Sequence, residues 1–139
     1  MGRNEKGVYS WSPGTPGWMH NATAGGSGDL SIIVHGDAGD IEPHEGTPVT
    51  IFGYEGSYVA GIPGEDFATG GPRASCERWM VDIQGTTVTI KLCAKPGSPS
   101  AEIREAHEII ESMRVTPYGS DPGFFRLFFT LTTSTWDSG

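Results

Sequence analysis

The sequence predicts an α+β fold, an antiparallel β-sheet sandwich with one amphipathic helix packed on a face. Three observations carry this. Only 36% of the residues are hydrophobic, while 21 glycines and 10 prolines break the chain into short pieces, a composition that excludes a helical bundle or coiled coil. Several pieces alternate apolar and polar residues with period two between turn signals. One stretch, Ile103 to Met113, repeats its apolar residues at helical spacing instead. At 139 residues the chain holds one domain, too short for two well-cored ones and long enough to fold without cross-links.

In chain order, Met1 to Asp29 carries Pro13, Pro16 and seven glycines around Tyr9, Trp11 and Trp18, so loops around short extended pieces are expected. Leu30 to His35 is a β-branched run bounded by Gly28 and Gly36, the pattern of a short buried strand. An acidic loop from Gly36 to Gly46 follows. Val49 to Phe52 and Ser57 to Ile62 flank Gly53, Tyr54, Glu55 and Gly56, which suits a hairpin with a four-residue loop. Pro63 to Ser75 returns to loop composition.

The clearest local signal runs from Cys76 to Cys93. Trp79, Val81 and Ile83 alternate with Arg78, Met80 and Asp82, and Val88, Ile90 and Leu92 alternate on the return. With Gln84-Gly85 as a two-residue loop, Ile83 faces Thr86, Val81 faces Val88 and Trp79 faces Ile90, so the apolar residues share a face. The same register sets Cys76 opposite Cys93 at a non-hydrogen-bonded site, where Cα atoms approach to about 4.5 Å, within disulfide reach. A metal pair or two buried thiols are the other readings, but no second Cys or His pair stands at zinc spacing. A disulfide closing this loop adds about 3 kcal/mol in the chain-entropy model and implies an oxidising compartment.

Beyond Pro96 to Pro99, Ser98 or Ser100 is placed to cap a helix, with Pro99 tolerated in its first turn and Glu102 near its positive end. Ile103, Ala106, Ile109, Ile110 and Met113 form its apolar stripe, and Glu102, Arg104, Glu105, Glu108 and Glu111 are expected to face water. Val115 to Pro117 leaves the helix, and Tyr118 to Gly123 reads as a linker-like turn. Phe124 to Thr132 alternates Phe125, Leu127, Phe129 and Leu131 against Arg126, Phe128 and Thr130. It reads as a central strand of the main sheet, since an exposed edge of that composition invites aggregation.

From Gly53 to Val115 the order GYEGSYV, CERWMVDIQGTTVTI and EIREAHEIIESMRV resembles the C-terminal half of a poorly characterised group of actinobacterial extracytoplasmic domains, modules that stand behind a membrane anchor or signal. The segment Phe125 to Trp136 (FRLFFTLTTSTW) resembles the opening strand of that group. There the strand comes first; here it comes last, and Met1 to Asp37 resembles what would follow Trp136. The resemblance implies a circularly permuted single domain, its joint near 118–123, with a PsbP-like α+β sandwich. It covers about half of the chain, through structural alternations rather than chemical signatures. Permutation is physically open because domain termini often lie close together at the surface.

With 9 basic against 17 acidic residues the formal charge is −8, which repels a phosphate backbone or an anionic membrane, so nucleic acid is not an expected partner. No apolar run approaches the length of about 20 residues that a helix needs to span a bilayer, and Met1 to Trp11 lacks the apolar core of a secretion signal. An extracytoplasmic or secreted location rests on the two cysteines and on the resemblance.

His35, Asp37, Asp40, Glu42, His44 and Glu45 form the densest collection of ligand-type side chains. They match neither a calcium loop nor a His-Glu-x-x-His motif, and a solvated acidic loop is the plain reading. If chemistry occurs there, His35 at the strand end is the base, with Asp37 or Glu42 as its carboxylate. His107 reads as a solvated or semi-buried structural residue of the helix. The Asn21-Ala22-Thr23 triplet is formally a glycosylation sequon, and Gly25 to Gly28 has no Lys beside it and reads as a flexible loop. No Walker loop, dinucleotide fingerprint or Gly-x-Ser-x-Gly elbow is present, and no cofactor or metal is expected.

Tyr9, Trp11, Trp18 and Phe128 remain. They line a ligand pocket, or they plug the end of a sandwich. The first functional expectation is a non-catalytic extracytoplasmic module that binds a small apolar or amphipathic ligand, or a protein partner, through a sheet face and the Trp-rich loops. The net charge favours an uncharged or cationic ligand, although Arg73, Arg78 or Arg126 can override the long-range field locally. The alternative is a cofactor-independent enzyme using the His35/carboxylate pair.

Overall fold

The computed structural model describes residues 3–4, 7–11, 17–20, 30–38, 46–64, 73–83, 85–117, 125–131 and 134–138. In chain order these form β1 (Arg3–Asn4), β2 (Gly7–Trp11), β3 (Gly17–His20), β4 (Leu30–Ala38), β5 (Thr47–Ile51), β6 (Tyr54–Pro63), β7 (Ser75–Ile83), β8 (Thr86–Ala94), helix α1 (Ser100–Glu111), β9 (Arg114–Pro117), β10 (Phe125–Leu131) and β11 (Ser134–Ser138). The described strands make an eight-stranded sheet in the order β1-β11-β3-β4-β8-β7-β6-β5 and a three-stranded sheet in the order β2-β10-β9. Every pairing is antiparallel. The fold is therefore α+β, mostly strand.

Alternation alone sets the register at the centre. β7 and β8 pair Ile83 with Thr86, Val81 with Val88, Trp79 with Ile90 and Cys76 with Cys93, and Gly85 takes the positive φ, 84°, that a two-residue turn demands. Trp79, Val81, Ile83, Val88, Ile90 and Leu92 are all buried. They join Leu30, Ile32 and Val34 of β4 and Ala106, Ile109, Ile110 and Met113 from the helical segment in one core cluster. Each fully buried aliphatic side chain here contributes about 1.5–3 kcal/mol relative to exposure.

Five expectations are corrected. The β5/β6 hairpin exists, but Ile51 pairs with Tyr54, so the loop is Phe52-Gly53 and not four residues. Both lie at positive φ, 56° and 82°, the requirement of a type I′ turn. Phe52 adopts a conformation costing about 1–2 kcal/mol for a residue with a Cβ, offset by packing of its ring on the core. Next, β4 does not stop at His35 but runs to Ala38, because β8 offers backbone partners as far as Thr86.

The helix stripe is also shifted: Glu102 is buried and Ile103 only half-buried. Residues 102, 106, 109, 110 and 113 share the inward face by helical geometry, and Glu102 sits in the first turn, where the helix dipole favours a carboxylate. Pro99 occupies the N-cap with no side-chain bond, since the Ser98 hydroxyl donates instead to the Lys95 carbonyl at 2.7 Å. Lastly, β10 is central as expected, but in the three-stranded sheet. It lies between β2 and β9, with Leu127 opposite Trp11 and Val115, and Leu127 joins the common core. The segment read as leaving the helix is β9 itself. The acidic loop at 39–45, the triplet at 21–23, the glycines at 25–28, Gln84 and the joint at 118–123 lie outside the described residues.

Candidate functional site

Period-two alternation gives β7 two faces of different chemistry. Glu77 stands on the face of Trp79, Val81 and Ile83 and collects partners from two other elements. The Tyr58 hydroxyl of β6 donates to Glu77 Oε1. Nε2 of His107 on α1 lies 2.9 Å from Oε2, with His107 33% and Glu77 21% exposed. Trp79 packs between them, its ring 5.1 Å from that of Tyr58 and 5.6 Å, edge-on, from that of His107. Burial, the bond to Glu77 and the neighbouring negative charge push the Tyr58 hydroxyl up to about 12, so it remains a donor at neutral pH. With one oxygen taken by each partner, the carboxylate pins helix to sheet. A carboxylate that orients an imidazole is also the pairing found in general bases, but here the arrangement ties three elements together.

The opposite face of the eight-stranded sheet carries Cys76, Arg78, Met80 and Asp82 from β7 and Thr87, Thr89, Lys91 and Cys93 from β8. Cys76 and Cys93 form a disulfide with Cα atoms 4.1 Å apart, the first of the readings that their register left open. Asp82 accepts a hydrogen bond from Thr87 Oγ1 at 3.1 Å. Thr87, Thr89 and Ser31 are buried, whereas Arg78, Lys91, Met80, Ile33 and Val59 are half-buried. Backbone pairing also sets rows of register across the strands. One row reads Trp18, Ile33, Lys91, Arg78, Val59 and the next His35, Thr89, Met80, Ser57; a third holds Asp37, Thr87 and Asp82.

The sequence candidates therefore divide. Trp18, His35 and Asp37 lie on strands of the large sheet, in register with Ile33, Thr89 and Thr87. Tyr9 and Trp11 lie on β2 of the small sheet, opposite Phe129 and Leu127, while Phe128 is flanked by Ser10 and Arg114. Glu42 lies outside the described residues. His35 stands in mid-strand and not at the strand end where the sequence reading set it. Arg73 is exposed before β7, and Arg126 pairs with Thr116 in the small sheet. Sequence reasoning missed the Tyr58-Glu77-His107 group because its members lie 19 and 30 residues apart. The available signal was the parity of Glu77 with Trp79.

Comparison with protein families, with curated proteins and with solved structures finds no match for this chain. Among the described residues no helix is long and apolar enough to cross a membrane.

Proposed function

We propose that this chain is a non-catalytic binding module of an oxidising, extracytoplasmic compartment, and that it takes a small amphipathic ligand on the sheet face turned away from α1. The single observation that carries the reading is the mixed character of that face. Half-buried aliphatic side chains, Ile33, Val59 and Met80, surround polar ones on a rigid scaffold, the combination from which ligand sites are built. The Cys76–Cys93 disulfide supports the compartment, since such bonds persist where the surroundings oxidise. The Leu127 contribution to the common core supports a sandwich of the two sheets. The actinobacterial, PsbP-like and permuted character remains an inference from the residues that resemble that group.

A screen of uncharged sugars, peptides and apolar or amphipathic metabolites, read by tryptophan fluorescence and by Tm, tests the reading. Saturable binding that raises Tm and is lost in Met80→Glu is the expected result. Binding lost in Trp11→Ala but unaffected by Met80→Glu moves the site to the small sheet. Turnover of a bound compound that disappears in His35→Ala, with Tm unchanged, replaces the binding reading by the His35/Asp37 enzyme.

A further inference from the structure

Arg78 and Lys91 stand directly opposite one another on β7 and β8. Counting from the closing pair Ile83/Thr86, the position is a non-hydrogen-bonded one, like that of the disulfide two residues away, and there facing side chains come closest. Like charges directly opposite destabilise a sheet. In a chain whose formal charge is −8, neutralising partners are plentiful in composition, yet among the described residues neither cation has an ion pair or a hydrogen bond. Both are half-buried, and the Arg78 Nε is buried without a hydrogen-bond partner. A guanidinium that loses water at Nε and gains no acceptor is costly to hold. Among the described residues, two half-buried cations therefore stand side by side with no anion paired to either.

We propose that Arg78 and Lys91 bind the anionic head of the ligand, an oxyanion carried on an apolar body. This rests on the reading of the face given above and specifies its ligand class. The guanidinium supplies a fork matched to a planar or tetrahedral oxyanion, and the ammonium a mobile point charge beside it. Ile33 and Val59 flank the pair in the same row, and Met80 stands in the next, so an alkyl body lies on apolar surface while the head lies between the cations. Trp18 occupies the next register position beyond Ile33. The disulfide at Cys76 and Cys93, one row away, locks the register that keeps the two charges opposed. The overall negative charge slows the approach of anions at long range, whereas the local pair acts at contact. This ligand class departs from the uncharged or cationic one that the net charge favours.

The test uses the oxidised chain with decanoate, decanol and inorganic phosphate as probes, at low and high salt. Decanoate should bind, more weakly at high salt. Arg78→Gln and Lys91→Gln should each weaken it by about ten- to hundredfold, and Arg78→Lys should fall between wild type and Arg78→Gln because the fork is lost and the charge kept. Without ligand, neither Gln variant should lower Tm, since each relieves a like-charge pair; this separates a binding role from a structural one. Decanol and decanoate binding alike, with neither affected by the variants, overturns the anion site and leaves the amphipathic face standing. Phosphate binding as tightly as decanoate, with the same sensitivity to the variants, keeps the anion site and overturns the apolar part of the reading. Failure of decanoate to bind overturns the proposal, and a Tm lowered in both Gln variants does so as well.

Discussion

Glu77 receives Tyr58 on one oxygen and His107 on the other, so one carboxylate couples β6, β7 and α1. The consequence for pH is set by Tyr58. In the unfolded chain its hydroxyl ionises near the ordinary value, about 10, and in the folded protein it is pushed up to about 12. Between those values the unfolded state releases the proton first, so the stabilisation present below pH 10 is lost as pH rises through 12. Denaturant unfolding across this range should show stability falling more steeply in wild type than in Tyr58→Phe. Parallel curves would sink the assignment. Glu77→Ala, which strands both donors, should cost about 1–3 kcal/mol in the same measurement at neutral pH. His107 was legible in the sequence only as a solvated or semi-buried structural residue of the helix; its partner was not legible, because nothing local links positions 77 and 107.

Among the elements, α1 and β10 show how far periodicity reaches. Helical spacing located α1 correctly, and its end is secured by groups that spacing does not reveal. The Ser112 hydroxyl donates to the Ile109 carbonyl at 2.6 Å, and Arg114 reaches the carbonyls of Glu111, Ser112 and Met113 at 3.3, 3.0 and 2.9 Å, satisfying acceptors that a helix leaves open. For β10, alternation identified a strand with an apolar face but not the sheet it joins. Pairing partners are chosen by tertiary packing, and β2 and β9 flank it rather than strands of the large sheet. Leu127, fully buried in the common core, should cost about 2–5 kcal/mol when changed to Ala, read from the denaturation midpoint. A loss below about 1 kcal/mol would place the strand at the periphery.

Across the whole molecule, the first and last strands are neighbours: Arg3 pairs with Thr135 and Asn4 with Ser134. Antiparallel neighbours can be joined by a short turn, so a chain in which residue 139 is linked to residue 1 and new termini are opened within 118–123 should fold. It should retain the Cys76–Cys93 disulfide and a cooperative unfolding transition. Molten, non-cooperative behaviour of that permutant would show that the 118–123 connection is required for folding.

The chain's own alternation determined the α+β class, the β7/β8 register and the placing of Cys76 opposite Cys93, because side chains of a strand divide between two faces with period two and a two-residue turn permits one register that buries both apolar rows. Helical spacing determined α1 in the same local way. Tertiary structure alone decided that β10 belongs to the small sheet, that Glu102 turns inward, that Phe52 enters the left-handed region and that Tyr58, Glu77 and His107 meet. It also decided that Trp18, Lys91 and Arg78 share one row across the large sheet. These outcomes depend on which strands lie side by side and on what each packs against, and such contacts between distant positions leave no periodic trace in a single sequence.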